Sequence, residues 1–363
     1  MFMKSLVRLL VIGVLSVQAS IALAGWEFDW EKAVSLYKQG QYQAAIVEFQ
    51  GVVAEYPNHA DSWKFIGLAY FQLQAYDKAI PPLEKALSLK QAEGKTDQDI
   101  VVAITRARLS LKQYDQALPF LENLAKTRPD VAANHYLLGV AYANMNRSAD
   151  AIASFQRALK IAPKDTDSWY YLALQQFRLE KTNDAIVSLR NGLLASPGHI
   201  EMSGLLAEAL LRQAEGETSE AKKSALSEEA VKVATALKAA RDDGPSAELL
   251  GRSLLAAKKY LPAEQMLSRA AAMIKPAPPG LFFNLGLAQA QLKTWPKALD
   301  SFLNADRANP NDLNTLYYLG FVYENLRQFQ QALDSYSRAY ELSGKTNADI
   351  KASMDRVAPF AKP

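Results

Sequence analysis

The residues able to do chemistry are few and widely separated. His59, His135 and His199 are the only histidines, and the chain has no cysteine. Without thiols there is no disulfide, thiolate metal site or cysteine nucleophile. A helical zinc site of the His-Glu-x-x-His kind is missing, as are a glycine-rich phosphate loop and a Gly-x-Ser-x-Gly nucleophile elbow. His59 and His199 follow Pro57 and Pro197 and read as turn residues. His135 takes a packing position that Trp63 and Trp169 hold elsewhere. Adjacent carboxylates occur at Asp242-Asp243 and Glu228-Glu229, where solvated helix ends account for them without an acid/base role. The expectation is a protein without catalytic activity, cofactor or metal.

What remains is binding chemistry, and a strict period positions it. Ala45, Ala79, Ala117, Ala151, Ala185, Ala263, Ala298 and Ala332 recur at steps of 34, 38, 34, 34, 78, 35 and 34 residues. A fixed period of this length belongs to a stacked array in which each unit contacts its neighbours and one core runs along the stack. Apolar residues three and four apart throughout make the units helical. With 49% hydrophobic and 22% charged residues in a chain of 363, material for a core is ample. The 41 basic and 38 acidic residues nearly balance, and no basic face or dense basic run points to nucleic acid.

The unit from Ala132 to Asp165 is the clearest, with Leu138, Gly139 and Tyr142 on its first helix, Ala151, Phe155 and Ala158 on its second, and Pro163 closing it. Trp63, Ile66, Gly67, Tyr70, Ala79 and Ala86 repeat that pattern, as do Leu316, Leu319, Gly320, Tyr323, Ala332, Tyr336 and Ala339. This resembles the tetratricopeptide repeat. Continuing the register gives units beginning near Trp26, Ala60, Gln98, Ala132, Thr166, Ile200, Gly244, Pro279 and Leu313. The resemblance implies an all-α, right-handed superhelical solenoid of about nine helix-turn-helix units, spanning residues 25–346. Gly67, Gly139, Gly251, Gly286 and Gly320 mark the closest helix crossing. Pro57, Pro129, Pro163, Pro197 and Pro310 stop second helices. Residues 347–363 hold a capping helix, Ala348 to Val357, and a tail.

Three segments break the period. Lys90 to Asp97 adds about four residues and suggests a longer turn, and Glu215 to Glu228 adds about ten, either lengthening both helices of a hairpin or forming a loop. Lys275-Pro276-Ala277-Pro278-Pro279-Gly280 is a stiff non-helical break. At the N-terminus, Lys4 and Arg8 precede an apolar run, Leu9 to Val17, and Ala22-Leu23-Ala24 has the small-x-small form of a cleavage site. Residues 1–24 therefore read as a signal peptide cut after Ala24, with an uncleaved anchor as the competing reading. The expected location is the periplasm or the extracellular medium, with membrane contact only through that segment or an envelope partner.

The resemblance also implies where a partner sits, since first helices of this family line a concave surface that holds peptides and proteins. The corresponding positions in units two to five are Lys64, Phe71, Arg106, Tyr136, Asn144, Tyr170, Phe177 and Arg178, followed by Arg212, Arg252, Phe283, Tyr317 and Phe321. Aromatic, basic and amide groups together suit a partly apolar segment carrying acceptors; padding of the hairpin edges is the alternative for each single residue. The carboxylate clamp of some relatives has no counterpart in the first unit, where Trp30 and Val34 stand. The expected function is an exported adaptor for a protein segment in an envelope assembly of the secretion, pilus or cytochrome-maturation type. The alternative is a polysaccharide-export scaffold that meets glycan or exporter components.

Overall fold

The computed structural model describes residues 29–361, so the signal-peptide reading falls outside the described residues. All regular elements among the described residues are helices. They pair as hairpins within two compact units, one through Pro163 and one from Lys164. The first unit holds α1 (29–38), α2 (Tyr42–Glu55), α3 (Ala60–Gln72), α4 (Tyr76–Ala92), α5 (Gln98–Ser110), α6 (Tyr114–Thr127), α7 (Ala132–Asn144) and α8 (Ser148–Ile161). The second holds α9 (Thr166–Arg178), α10 (Thr182–Ala195), α11 (Ile200–Gly216), α12 (Glu220–Ala240), α13 (Gly244–Ala256), α14 (Tyr260–Met273), α15 (Pro279–Gln291), α16 (Trp295–Ala308), α17 (Leu313–Asn325), α18 (Phe329–Leu342) and α19 (Ala348–Val357). A final 3₁₀ turn covers Ala358–Phe360.

The periodic alanines are the axis of this packing, each with no exposed surface. A larger group there would separate the two helices of a hairpin. The glycines do a related but different job. A Cβ on Gly139 would lie 2.7 Å from the Phe155 ring, one on Gly286 2.8 Å from the Phe302 ring, and one on Gly320 2.6 Å from the Tyr336 ring. The glycine thus makes room for a large side chain from the second helix of its own hairpin. At two crossings the facing side chain is a leucine instead, Leu83 at 2.4 Å from a Cβ on Gly67 and Leu267 at 2.6 Å from one on Gly251. Phe302 also stacks on Tyr318 of the next hairpin, at 5.6 Å and 12° between planes. One ring therefore closes both the crossing and the gap to the following unit.

Turns within hairpins use one left-handed residue, with φ of 57–59° at Gln74, Lys112, Asn146, Glu180, Lys258, Lys293 and Arg327. The next amide reaches back five residues, as Ala75 does to the Tyr70 carbonyl at 3.0 Å, which satisfies the orphan carbonyls of a helix end. Second helices stop two residues before Pro57, Pro129, Pro163, Pro197 and Pro310. Proline is tolerated inside helices too, at Pro81 and Pro82 in α4 and Pro119 in α6.

The three breaks take distinct forms. Lys90–Asp97 lengthens α4 to Ala92 before a short turn. Glu215–Glu228 lengthens both helices of its hairpin, giving α11 17 residues and α12 21, joined by Glu217–Ser219 alone. The proline-rich break is shorter than its composition suggests. Pro279 opens α15 rather than preceding it, because a first-turn proline has no amide to lose.

Candidate functional site

First helices of successive hairpins touch one another at α3 with α5, α11 with α13, and α13 with α15. Every residue singled out from the sequence for partner binding falls within a first helix. The side chains are not equivalent. Lys64 donates to Asp97 at 2.7 Å and to Asp99 at 3.4 Å. Burial opposes its charge, but the two carboxylates outweigh burial and hold its pKa above the ordinary value. Asp97 also accepts the Asp99 and Ile100 amides at the start of α5. Lys64 therefore anchors the turn that follows α4.

Several aromatics are occupied by neighbours in the same way. Phe71 meets the Tyr76 ring edge-on at 5.3 Å, and Tyr136 lies 6.0 Å from Phe155. Tyr170 stacks on His199 at 5.7 Å and meets Tyr171 at 5.3 Å. Arg106 and Asn144 are exposed, the latter donating to the Val140 carbonyl one turn back at 2.8 Å. In the first unit the predicted set is thus divided between packing and open surface.

In the second unit the same register opens into concavity. Leu174 and Phe177 of α9 face Leu205 and Ala209 of α11 across a cavity of about 620 Å³. Arg178, Glu180, Glu208 and Arg212 rim it. Apolar walls with a few charged groups at the edge suit an inserted apolar side chain. On the opposite flank of α11 a second cavity, about 310 Å³, is bounded by Leu211, Leu255 and Ala256. Its polar lining comes from Glu215, Lys223, Ser227, Arg252 and Asn284. Between them on α13, burial raises the Glu248 pKa; Arg252 opposes the shift and Glu208 adds to it.

Phe177, Arg178, Arg212 and Arg252 were legible in the sequence as a register of first-helix positions. Glu208 was legible in principle, since it holds the register place of Arg106 and Arg252, eight residues after the helix start. Lys223 was not, because it belongs to a lengthened second helix. The histidines have structural duties. Nδ1 of His59 accepts the Ser62 amide at 3.2 Å, and Nδ1 of His199 accepts the Met202 amide at 3.3 Å, so both are helix N-caps. His135 Nε2 faces the Pro129 carbonyl at 3.0 Å, as Trp63 Nε1 donates to the Pro57 carbonyl at 2.8 Å. Among the described residues no three His, Asp or Glu side chains are grouped to hold a metal, and no helix is long and apolar enough to cross a membrane.

Comparison with known proteins agrees with this architecture. The bovine BBSome complex member BBS4 is 24% identical over 305 residues, 84% of this chain and 56% of the relative. Superkiller protein 3 of Schizosaccharomyces pombe is 26% identical over 144 residues, 39% of this chain and 10% of the relative. The chain thus spans about half the length of the bovine protein. Among solved structures, MamA 41-end from Desulfovibrio magneticus RS-1 aligns at 20% identity over 47% of this chain and 95% of its own, with a TM-score of 0.44. The APC/C hetero-tetramer Cut9-Hcn1 aligns at 14% identity over 87% of this chain and 59% of its own, with a TM-score of 0.43. Scores below 0.5 add nothing to an assignment that rests on sequence. Three sequence models described as tetratricopeptide repeat match residues 31–95 and 248–313, 108–175, and 314–343, together more than half of the chain. By these matches, and by hairpins built on a buried alanine every 34 or so residues, the chain belongs to the tetratricopeptide repeat family, whose fold serves as a protein-interaction scaffold.

Proposed function

We propose that the protein is a non-catalytic adaptor that holds a segment of a partner protein against the first-helix face of its second unit. The observation that carries this reading is the cavity of about 620 Å³ between α9 and α11, with Leu174, Phe177, Leu205 and Ala209 as its apolar wall. An apolar side chain seated there leaves water at about 25 cal/mol per Å² of buried surface. The surrounding Arg178, Glu208 and Arg212 then select orientation rather than supply most of the affinity. The likeness to a BBSome complex member supports a place within a larger assembly.

The Lys4, Arg8 and Ala22-Leu23-Ala24 pattern supports export, and the assembly we have in mind is one of the cell envelope, of the secretion, pilus or cytochrome-maturation type. N-terminal sequencing of the protein from cells should begin at Gly25; a chain that keeps residues 1–24 and stays in the cytoplasm would remove the export proposal. A glycan would need open aromatic faces such as those of Tyr136 and Tyr170, and their ring contacts with Phe155, Tyr171 and His199 leave that alternative without a specific observation in its favour.

The adaptor reading is tested by filling the cavity. Ala209→Trp should block it and lower the yield of crosslinked partner peptides roughly ten-fold, the loss of one anchoring side chain. The measurement is crosslinking with mass spectrometry in native cells. Unchanged crosslinks, in number and position, would move the partner surface elsewhere.

A further inference from the structure

The lengthened α11–α12 hairpin does more than protrude. Its added turns are tied to the next hairpin by Lys258 to Glu220 at 3.3 Å and Lys259 to Glu228 at 2.7 Å. Held there, Glu215 and Lys223 face Arg252 of α13 and Asn284 of α15 across the cavity of about 310 Å³. A hairpin of the ordinary period would supply neither of the first two. Lys223, Arg252 and Asn284 are half-buried. Their side chains have no hydrogen-bond or ion-pair partner among the described residues. Glu248, one turn before Arg252 on α13, is not within ion-pair distance of it. Glu215, the single carboxylate of the lining, is exposed and keeps its hydration. The cavity therefore presents two cations and an amide, partly stripped of water, against one exposed carboxylate, while the Ser227 hydroxyl is already given to the Lys223 carbonyl at 2.9 Å.

We propose that this cavity takes a carboxylate side chain, Asp or Glu, from the same peptide segment that seats an apolar residue between α9 and α11. The proposal rests on the groove reading above and adds the partner's sequence rule to it. Charge-assisted hydrogen bonds from Arg and Lys to a carboxylate are the strongest pairing such donors can make. The two cavities flank α11, since Leu205 and Ala209 line one and Leu211 and Glu215 the other. A helix with its side chains is about 10 Å across, and an extended chain rises about 3.3 Å per residue. The acidic residue thus follows or precedes the apolar one by about three positions.

The test is a phage-displayed random peptide library selected on the immobilised full chain. Enriched peptides should share an apolar residue and an Asp or Glu about three positions apart. Arg252→Gln and Lys223→Ala should each weaken a selected peptide about ten-fold or more, the scale of one charge-assisted hydrogen bond. Lys223→Glu combined with Arg252→Glu should replace the acidic preference with Lys or Arg at the same position. Neither side chain pairs within the fold, so circular dichroism and Tm should stay at wild-type values in the single variants. Peptides with no acidic preference, or a preference that survives the double reversal, overturn the proposal and leave the groove reading in place if Ala209→Trp still blocks them. No enrichment at all overturns both.

Discussion

Single side chains in this array work mainly by what they leave room for and what they cap. His59 caps α3 only while Nδ1 carries no proton, because that lone pair accepts the Ser62 amide. Burial pushes its pKa below the ordinary value, with Asp61 opposing the shift and Lys90 adding to it. The unfolded chain then takes up a proton first, so the cap's contribution is complete above the ordinary imidazole value of about 6.5 and declines below it until the folded form titrates as well. His59→Asn keeps a capping group that does not titrate, and should flatten the fall in Tm between pH 7.5 and 5.5; parallel Tm curves for variant and wild type would assign the titration elsewhere. Sequence reading placed His59 and His199 in turns but missed their capping role, since imidazole lies outside the usual Ser, Thr, Asp and Asn set. The glycines were legible as close approaches, yet their partners were not. Gly320→Ala must displace the Tyr336 ring, 2.6 Å from the new Cβ, at a cost of about 1 to 3 kcal/mol. Gly280→Ala meets nothing within 4 Å in the first turn of α15 and should add about 0.5 to 1 kcal/mol through helix propensity. Urea unfolding of the pair checks both signs, and equal effects would refute the packing account.

At the level of elements, departures from the period were visible as extra residues, but their form was not. Gly216, Thr218 and Ser219 read as loop formers, while Ala, Glu, Lys and Leu around them favour helix. Tertiary contact decides between these readings. Burial of Ala230, Ala234 and Leu237 seats α12 in the core, the exposed ion pairs to Lys258 and Lys259 add a smaller surface contribution, and only Glu217–Ser219 remain outside helix. The shorter break after α4 has an ion pair of its own, through Lys64. Its ammonium joins α3 to Asp97, whose carboxylate already caps α5. Lys64→Met should keep the stem packing and lose the ion pair, costing about 1 kcal/mol at most. The loss should be local, with faster hydrogen exchange at residues 93–100 and little change in α7 and α8. Unaltered exchange there would mean that the cap alone orders the turn. Asp97 itself has its pKa held below the ordinary carboxylate value, where Lys64 and the Asp99 and Ile100 amides outweigh burial. Its stabilising share is therefore present above about pH 4 and lost as acid protonates the folded form.

Across the whole molecule the period was the most legible feature, because one buried alanine per unit is a one-dimensional signal that needs no long-range information. The cavities were less legible, since they depend on how neighbouring first helices separate, which no local pattern of residues encodes. The same nearest-neighbour logic governs how damage spreads. Most helices pack chiefly against the helices before and after them in sequence, so stability is close to a sum of unit and interface contributions. Gly139→Leu would force a branched side chain into the space of the Phe155 ring, 2.7 Å from the glycine's missing Cβ. Overpacking of this kind costs about 1 to 3 kcal/mol or more, and α7 and α8 should pay it first. Their protection from hydrogen exchange should collapse, that of α6 should weaken through its contact with α7, and the hairpins from α13 to α18 should keep wild-type protection. Such a gradient is the signature of local opening in a linear array. Loss of protection that is uniform from α2 to α18 would instead demand a single cooperative core, which a chain of neighbour contacts does not supply.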